Sequence, residues 1–238
     1  ARRALLGFEP EPNPALLDVT PNEFRESRKR HFGTSNPDEF EGRFYEGMVR
    51  AGIDAYQAAK LFRETVEPVR PVWCAQRFGQ SITFLPDGRI IQIGGEHEDS
   101  YDPDFCIYND VFVHHPGGKI RFFSYPKDVL PPIDFHTATL LNEGFIWIIG
   151  SLGYAGSRCY GETPVYRLDT DTFRIEKMRI SGEPPGWIYK HMAVERPSGM
   201  VEASGGTIVT VSDGKESHTE NSRRFVLDVE CCEWKTNL

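Results

Sequence analysis

Ile90-Ile91-Gln92-Ile93-Gly94-Gly95 is a short apolar run that ends in two glycines, and related runs occur twice more along the chain. One is Ile146-Trp147-Ile148-Ile149-Gly150, and we align the third copy with Ile208-Val209-Thr210-Val211, which precedes Ser212-Asp213-Gly214. Runs of β-branched and aromatic residues that stop at glycine are typical of strands. Their spacing of about 55–60 residues is close to the repeat lengths of β-propellers, so the repeat indicates an architecture and leaves the activity open.

Each run has a predicted strand on either side. The copies open with Phe78-Gly79-Gln80-Ser81, Phe135-His136-Thr137-Ala138 and Lys190-His191-Met192-Ala193, and a later strand is predicted at 110–113, 165–169 and 225–228. In the first copy, Pro86-Asp87-Gly88 and His115-Pro116-Gly117-Gly118 are tight-turn sequences. Four antiparallel strands joined by short turns are the form of a propeller blade.

These features resemble kelch repeats. The resemblance rests on Gly94-Gly95 after an apolar run, on Tyr108 before Asn109-Asp110-Val111, and on the spacing from Asp228 to Trp234. It covers residues 71–238 and implies a mainly β, kelch-like β-propeller segment of three four-stranded blades, approximately 71–127, 128–182 and 183–238. Kelch propellers include protein-binding adaptors, copper oxidases, sugar epimerases and iron-assisted lyases, so the resemblance implies no single activity.

Residues 1–70 are predicted to form an extended, proline-rich lead and an α-helical region. Thr20-Pro21-Asn22-Glu23 is a capping box, and Gly33 is placed to end that first helix. Asn36-Pro37-Asp38-Glu39 has the same pattern and predicts a second helix that ends at Gly52. Asp54 caps a third helix, which is expected to end near residue 64. The last two helices are spaced like a helix-turn-helix, but the third offers few side chains that read bases, so we expect no nucleic-acid partner.

The number of repeats predicts an incomplete propeller, because closed propellers have about four to eight blades. Three arrangements would cover the open faces: the helical region caps them, two chains complete one ring, or the protein continues beyond residue 238. We expect self-association.

Charge and cysteine content narrow the possible partners. The net charge is −8, and the six carboxylates between Glu96 and Asp110 have no Lys or Arg among them. Such a surface repels phosphate backbones and favours a basic protein partner. No apolar stretch approaches the ~20 residues of a membrane span, so no membrane partner is expected. Five cysteines without a CxxC pair or a signal peptide predict reduced thiols and a cytoplasmic location.

The candidate binding residues lie on loops that we expect to share one end of the sheets, because up-and-down strands place alternate loops at opposite ends. These residues combine carboxylates, imidazoles and aromatic rings, and they are Glu96, His97, Glu98, Tyr101, Asp102, Asp104, His136, Trp187, Tyr189 and His191. Five more are expected to join them: Tyr154, Arg158, Tyr160, His218 and Glu220. His136 and His191 occupy equivalent positions, for which Gly79 is the first-copy equivalent, and a structural role for both is the other interpretation.

The predicted function is a cytoplasmic interaction module that binds a partner protein or ligand on this acidic, aromatic end and uses no cofactor. The alternative is a metal-dependent lyase or hydrolase that binds a divalent metal ion through His97, Glu98, Asp102 and either His136 or His191. Neither a nucleophile elbow nor a phosphate-binding loop is present. The sequence therefore leaves open whether the protein is an enzyme.

Overall fold

Strands dominate the part of the chain that the computed structural model describes, which is residues 14–16, 18–63, 71–97, 105–141, 144–197 and 199–235. The helices are α1 (Pro21–Ser27), α2 (Arg43–Ala51) and α3 (Ala55–Leu61), with short 3-10 turns at Pro14–Leu16 and Ala155–Ser157. The strands are β1 (Asp38–Phe40), β2 (Ser81–Phe84), β3 (Ile90–Ile93), β4 (Glu96–His97), β5 (Cys106–Ile107), β6 (Val111–His114), β7 (Ile120–Ser124), β8 (Thr137–Leu141), β9 (Phe145–Ile149), β10 (Val165–Asp169), β11 (Ile175–Lys177), β12 (Ser181–Gly182), β13 (Trp187–Tyr189), β14 (Met192–Arg196), β15 (Met200–Ser204), β16 (Thr207–Ser212), β17 (Lys215–Glu220), β18 (Arg224–Asp228) and β19 (Glu233–Lys235).

Three larger sheets follow one another along the chain. The first has the order β1-β7-β6-β3-β2, the second β11-β10-β9-β8, and the third β12-β19-β18-β15-β14. All their strand pairs are antiparallel except β12 with β19. Smaller sheets are formed by β4 with β5 and by β13, β16 and β17. The prediction of a mainly β chain built of antiparallel sheets is confirmed, whereas the propeller arrangement and the number of blades stay predictions.

The three larger sheets are stacked face to face through apolar layers. Ile91 and Val113 of the first sheet pack in one cluster with Ile146 and Leu168 of the second. The opposite face of the second sheet packs on the third through a cluster that includes Trp147, Val201, Phe225 and Trp234. Strand β8 contacts both β2 and β14, so the first strands of successive sheets are neighbours. Because the second sheet is covered on both faces, its strand β9 is apolar almost throughout.

The helices form a layer on the outer face of the first sheet. Phe24, Phe44 and Met48 pack in one cluster with Trp73 and Phe122, and all five are buried. The ring centroids of Phe44 and Trp73 lie 6.4 Å apart, and those of Trp73 and Phe122 lie 5.9 Å apart. Edge-to-face aromatic contacts of this kind add to the free energy gained by burying the rings. Within the described residues, no helix has the length and hydropathy needed to cross a bilayer.

Two of the three predicted helix starts are confirmed. The Thr20 side chain accepts a hydrogen bond from the Glu23 N–H and completes a capping box, and Asp54 accepts one from Gln57 N–H at 2.7 Å. Gly52 ends α2 in the left-handed conformation, as expected. The first helix, however, ends at Ser27 and not near Gly33.

The predicted helix start at Asn36 is wrong. Asp38–Phe40 forms strand β1, which pairs with the outer edge of β7, and α2 begins only at Arg43. A cap sequence reports local preference only, and here pairing with a strand some eighty residues away prevails. Glu39 is held in that register by Arg121, whose Nη2 lies 2.7 Å from Glu39 Oε2.

The second strand of the third repeat copy lies earlier in the chain than the sequence alignment placed it. Its second strand is β15, which pairs with β14 and β18 and is followed by Gly205 and Gly206. The predicted run 208–211 belongs to β16, one arm of a hairpin inserted between β15 and β18. Gly94, Gly150 and Gly205 therefore mark successive copies about 55 residues apart.

The third sheet faces solvent on its outer side, which explains why its second strand was missed. Val201 and Ala203 point into the core, whereas Glu202 between them is within salt-bridge distance of Arg196 and Arg224. Such alternation of apolar and polar residues is characteristic of a sheet that is covered on one face only. It makes β15 less apolar than the inserted strand β16.

The two ends of the sheets differ, as predicted. At one end, which we call the turn end, the short turns at Gly88 and Pro116 lie side by side. At the other, the loop end, the connection after β3 meets the linker between the first two sheets, where Gly95 N–H donates to Ile133 O at 2.8 Å. The second and third sheets meet in the same way, since Ser151 N–H donates to Ile188 O at 2.9 Å.

Two glycines of the third copy have similar backbone conformations, but the corrected alignment predicts that alanine substitutions at them cost different amounts of stability. Gly206 (φ 76°) approaches the chain so closely that a Cβ would lie 2.6 Å from His191 N and from Tyr189 O. A Cβ on Gly214 (φ 72°) would meet nothing within 4 Å. We expect Gly206→Ala to lower the free energy of unfolding by about 3 kcal/mol or more, and Gly214→Ala by only about 1 kcal/mol. Urea denaturation measures both values, and equal costs would contradict the alignment.

Candidate functional site

A buried ion pair lies inside the protein next to the loop end. The Arg77 guanidinium makes two hydrogen bonds to the Asp110 carboxylate, and Trp73 Nε1–H donates to Asp110 Oδ2 at 2.8 Å. Arg77 also lies over the ring of Tyr108, 3.4 Å from its centroid. Because its charge is paired and both of its oxygens accept hydrogen bonds, Asp110 acts inside the protein and does not contribute to the acidic surface expected from the sequence.

Glu96 belongs to a buried carboxyl pair. It is 8% exposed and acts as a hydrogen-bonding partner of Asp134, which is 0% exposed. Asp134 Oδ1 also accepts hydrogen bonds from Gly153 N–H at 2.6 Å and from Ser151 Oγ at 3.2 Å. Burial raises the pKa of Asp134 above its ordinary value, against these hydrogen bonds, which favour the ionised form. As a correction, Glu96 joins the first two sheets and does not face a partner.

His97 is buried as well, at 1% exposure, with its Nδ1 3.2 Å from Cys74 Sγ. It lines a cleft of about 450 Å³ between the helical layer and the first sheet. Its place at the loop end is as predicted, but its imidazole points to a thiol and not to solvent.

His136 and His191 join neighbouring sheets. His136 Nε2 lies 2.8 Å from Ser81 Oγ of the first sheet, and His191 Nε2 lies 3.0 Å from Thr137 Oγ1 of the second. Burial lowers the pKa of His136 to about 3 and that of His191 to about 4, so both imidazoles are neutral at pH 7. Both side chains are therefore buried in junctions between sheets, which favours the structural interpretation of this pair.

The first-copy equivalent of these histidines is Gln80, not Gly79. Gly79, Phe135 and Lys190 share a left-handed backbone, and Phe135 N–H donates to Gly79 O, as Lys190 N–H donates to Phe135 O. The residue after each member of this series is therefore Gln80, His136 or His191. The sequence alignment was shifted by one residue, because it matched the aromatic side chain of Phe78 to that of Phe135.

Trp187 is also a structural residue. It is 8% exposed, and its indole N–H donates to Leu152 O at 3.0 Å. Its neighbour Tyr189 lies two residues along β13 and is half-buried, with its hydroxyl near the surface. Of the ten predicted site residues, Glu98, Tyr101, Asp102 and Asp104 lie outside the described residues, and Tyr189 alone among the other six has a partly exposed side chain at the loop end.

The partly exposed rings at the loop end form a connected series. The ring centroids of Phe135 and Tyr189 lie 6.5 Å apart, and those of Tyr189 and His218 lie 5.9 Å apart. Tyr189 Oη is 3.1 Å from His218 Nδ1, and Lys190 Nζ is 4.5 Å from the Phe135 ring centroid. Phe78, 58% exposed, directly precedes Gly79, which contacts Phe135. We call Phe78, Phe135, Tyr189, Lys190 and His218 the aromatic surface.

Glu216 extends this surface from the inserted hairpin to the second sheet. It accepts hydrogen bonds from Tyr160 and from Arg158, and His218 Nε2 lies 3.6 Å away. The hydrogen bond from Tyr160, together with Arg158, holds the pKa of Glu216 below its ordinary value. Arg158, Tyr160 and His218 thus lie where they were expected.

Two of the expected neighbours differ in role. Glu220 is exposed at the base of the hairpin, opposite Thr207. The Tyr154 hydroxyl accepts hydrogen bonds from Ile107 N–H at 2.8 Å and from Arg30 Nη1 at 2.9 Å, which ties the N-terminal region to the loop end.

Sequence reasoning missed the contacts of Glu216 because it assigned the hairpin to the core of the third sheet. The Gly205-Gly206 pair was the signal that β16 and β17 are an insertion. Within the described residues, no group of three or more His, Cys, Asp or Glu side chains is arranged to hold a metal ion. Two of the predicted metal ligands, Glu98 and Asp102, are outside that part of the chain.

Comparisons with known proteins do not assign this chain to a family. No family model matches the chain, and no curated protein matches it. A solved structure described as "Structure of YjhT" is similar over 68% of this chain and 51% of that one, at 13% sequence identity and a TM-score of 0.42. The chain thus covers about half the length of that protein.

The histidine junctions predict a specific loss of stability in acid. A histidine has a pKa near 6.5 when unfolded, whereas that of His136 is lowered to about 3 by burial. The stability that this neutral imidazole contributes is present above pH 6.5 and is lost as the pH falls towards 3. His136→Gln, which copies Gln80, should therefore lose less stability than the wild type between pH 7 and pH 5. Unfolding in urea at both pH values measures this, and parallel losses would contradict the assignment.

The buried carboxyl pair predicts the opposite trend. Because the pKa of Asp134 in the folded protein lies above the ordinary aspartate value of 3.8, its contribution to stability is complete below pH 3.8 and is lost as the pH rises through the folded pKa. Asp134→Asn should gain stability relative to the wild type between pH 4 and pH 7.

Asp228 is the control, since the hydrogen bond from Lys235 lowers its pKa to about 2. Its contribution is present above the ordinary carboxyl pKa and is lost as the pH falls towards 2. Asp228→Asn should therefore lose stability relative to the wild type at pH 7. If Asp134→Asn shows no gain from pH 4 to pH 7, burial does not raise the pKa of the Asp134 carboxyl.

Proposed function

We propose that this protein is an interaction module whose loop end binds a basic segment of a partner protein. The observation that carries the proposal is the aromatic surface, where rings from the first two sheets and from β13 and β17 meet with partial exposure. Aromatic side chains supply large contact area at a low entropic cost, and they are enriched among residues that dominate binding free energy. The turn end offers no comparable cluster among the described residues.

The charge of the adjoining segment supports a basic partner. In sequence, Glu98, Asp99, Asp102 and Asp104 follow β4 without an intervening Lys or Arg. On the described surface, the ionised Glu216 carboxylate is paired with Arg158, so the negative charge of the proposed contact rests on those four carboxylates. Carboxylates around an aromatic contact area speed the encounter with a basic partner and select against acidic ones. The proposed contact therefore combines an apolar centre with an acidic rim.

A kelch-like propeller segment is the architecture we propose for this module. Its support is the threefold recurrence of four antiparallel strands, each with a second strand that ends at glycine: Gly94, Gly150 and Gly205. The helical layer covers the outer face of the first sheet, and the third sheet has polar residues on its own outer face. Both features reduce the apolar surface that self-association would have to cover.

We propose that self-association into a complete ring would need a junction between chains that differs from the junctions between sheets inside one chain. Inside the chain, a histidine meets a hydroxyl at each sheet boundary: His136 with Ser81, and His191 with Thr137. At the two ends of the stack, Gln80 of the first sheet takes the place of the histidine, and Met192 of the third sheet takes the place of the hydroxyl residue. These two residues supply neither a histidine nor a hydroxyl. We therefore treat the single chain as the unit that binds.

The test is peptide selection on the purified chain, followed by calorimetry of the selected peptides. We expect the peptides to be rich in Lys and Arg, and their affinity to fall when salt is raised from about 50 mM to about 500 mM. Phe78→Ser and Tyr189→Ala should each weaken binding by about tenfold or more, because removing a central aromatic contact costs roughly 1.4 kcal/mol or more.

Phe84→Ser is the matched control. Phe84 is 72% exposed on the same strand as Ile82, but it lies next to the turn end. Binding to this variant should equal binding to the wild type. An equal loss in Phe84→Ser, or unchanged affinity in Tyr189→Ala, would contradict a site at the loop end, and salt-independent binding would remove the acidic rim from the account.

A further inference from the structure

We infer that Cys74 is a reactive thiol, activated by His97, that forms a mixed disulfide with a small disulfide entering the cleft between the helical layer and the first sheet. The cleft borders the aromatic surface at Phe78, but the inference does not depend on the proposed partner. Cys74 Sγ and His97 Nδ1 are 3.2 Å apart, which is within the reach of proton transfer from a sulfur donor. Both side chains line the cleft of about 450 Å³.

The surroundings of Cys74 favour a thiolate more than those of the other buried cysteine. Burial raises the pKa of Cys106 to about 11, which keeps its thiol protonated. Cys74 has the His97 imidazole beside it, and the charge of Arg77 lies close enough to interact with it. Positive groups next to a thiol stabilise its ionised form.

The other groups that face Cys74 do not favour its ionisation. Gln76 O lies 3.2 Å from Cys74 Sγ and favours the protonated thiol, as does the pairing of Arg77 with Asp110. Tyr108 is neutral, since burial raises its pKa well above the ordinary value. Asp54 also lines the cleft, at the N-terminus of α3. The His97 imidazole is therefore the group placed to accept the thiol proton.

The cleft has room for a small reagent. Its volume of about 450 Å³ is within the usual range for small-molecule sites. Phe78 forms part of its wall and is 58% exposed, which marks the side open to solvent. A cleft wall that carries a thiol and an imidazole suits a disulfide, which needs a nucleophile on one sulfur and a proton for the other.

The reaction balances without another oxidant. The Cys74 proton passes to His97 Nδ1, and the thiolate attacks one sulfur of the small disulfide. A new S–S bond forms to Cys74 while the original S–S bond breaks, and the leaving thiolate takes up the proton from His97. The disulfide supplies the oxidising equivalent, so no metal or cofactor takes part.

The test uses a variant in which the three more exposed cysteines, Cys159, Cys231 and Cys232, are replaced by serine, which leaves the two buried cysteines, Cys74 and Cys106. The folded protein is mixed at pH 7 with 5,5′-dithiobis(2-nitrobenzoate) and with oxidised glutathione. We expect one equivalent of modification per chain, mapped to Cys74 by peptide mass spectrometry, and a rate at least tenfold lower in His97→Asn. Modification of Cys106 at the same rate as Cys74 would overturn the inference.

A measurement on the parent protein keeps the test decisive if His97→Asn does not fold. An unassisted thiol has a pKa near 8.5, so its alkylation rate falls about tenfold for each pH unit below that value. A thiol activated by an imidazole keeps its rate to a lower pH. We expect the iodoacetamide rate at Cys74 to change by less than about threefold between pH 8 and pH 7, and a tenfold fall would refute activation by His97.

Discussion

Close backbone approach at the ends of the second strands is the constraint on which the rest of the structure depends. A Cβ on Gly94 would lie 2.3 Å from Ile133 O, and one on Gly150 would lie 2.4 Å from Ile188 O. Both glycines also have positive φ angles, which residues with a side chain adopt at a cost. Because the linker to the next sheet must pass over these glycines, each second strand determines where the following sheet starts. The longer connections are thereby collected at the loop end.

Side-chain junctions then hold the stacked sheets in this register. His136 and His191 each reach a hydroxyl on the preceding sheet, and the Glu96–Asp134 pair joins the first two sheets nearby. All four groups are buried. Three of them, Glu96, His136 and His191, were proposed from the sequence as binding residues, since loops rich in carboxylates and imidazoles are common at binding sites. Residue type alone does not reveal which side of a loop faces the interior.

The sequence was sufficient where local pattern and burial agree. Strands β3 and β9 are buried on both faces, so their apolar runs are strong and their glycines are conspicuous. Strand β15 is covered on one face only, and its alternating pattern was outweighed by the β-branched run of β16. Strand β1 was taken for a helix start because its cap sequence is local, whereas its pairing with β7 is distant along the chain. The aromatic surface depends on the same inserted hairpin, so its connection through Glu216 could not be predicted.

Amide hydrogen exchange of the free protein tests most directly whether the sheets form one cooperative stack. The deciding amides join one sheet to the next, namely those of Gly95, Phe135, Ser151 and Lys190. The account predicts that these four exchange with the same opening free energy as the core strand amides of β3 and β9, because separating the sheets unfolds them. Junction amides that exchange orders of magnitude faster than the strand amides would show that the sheets move independently, and a shared loop end would then be contradicted.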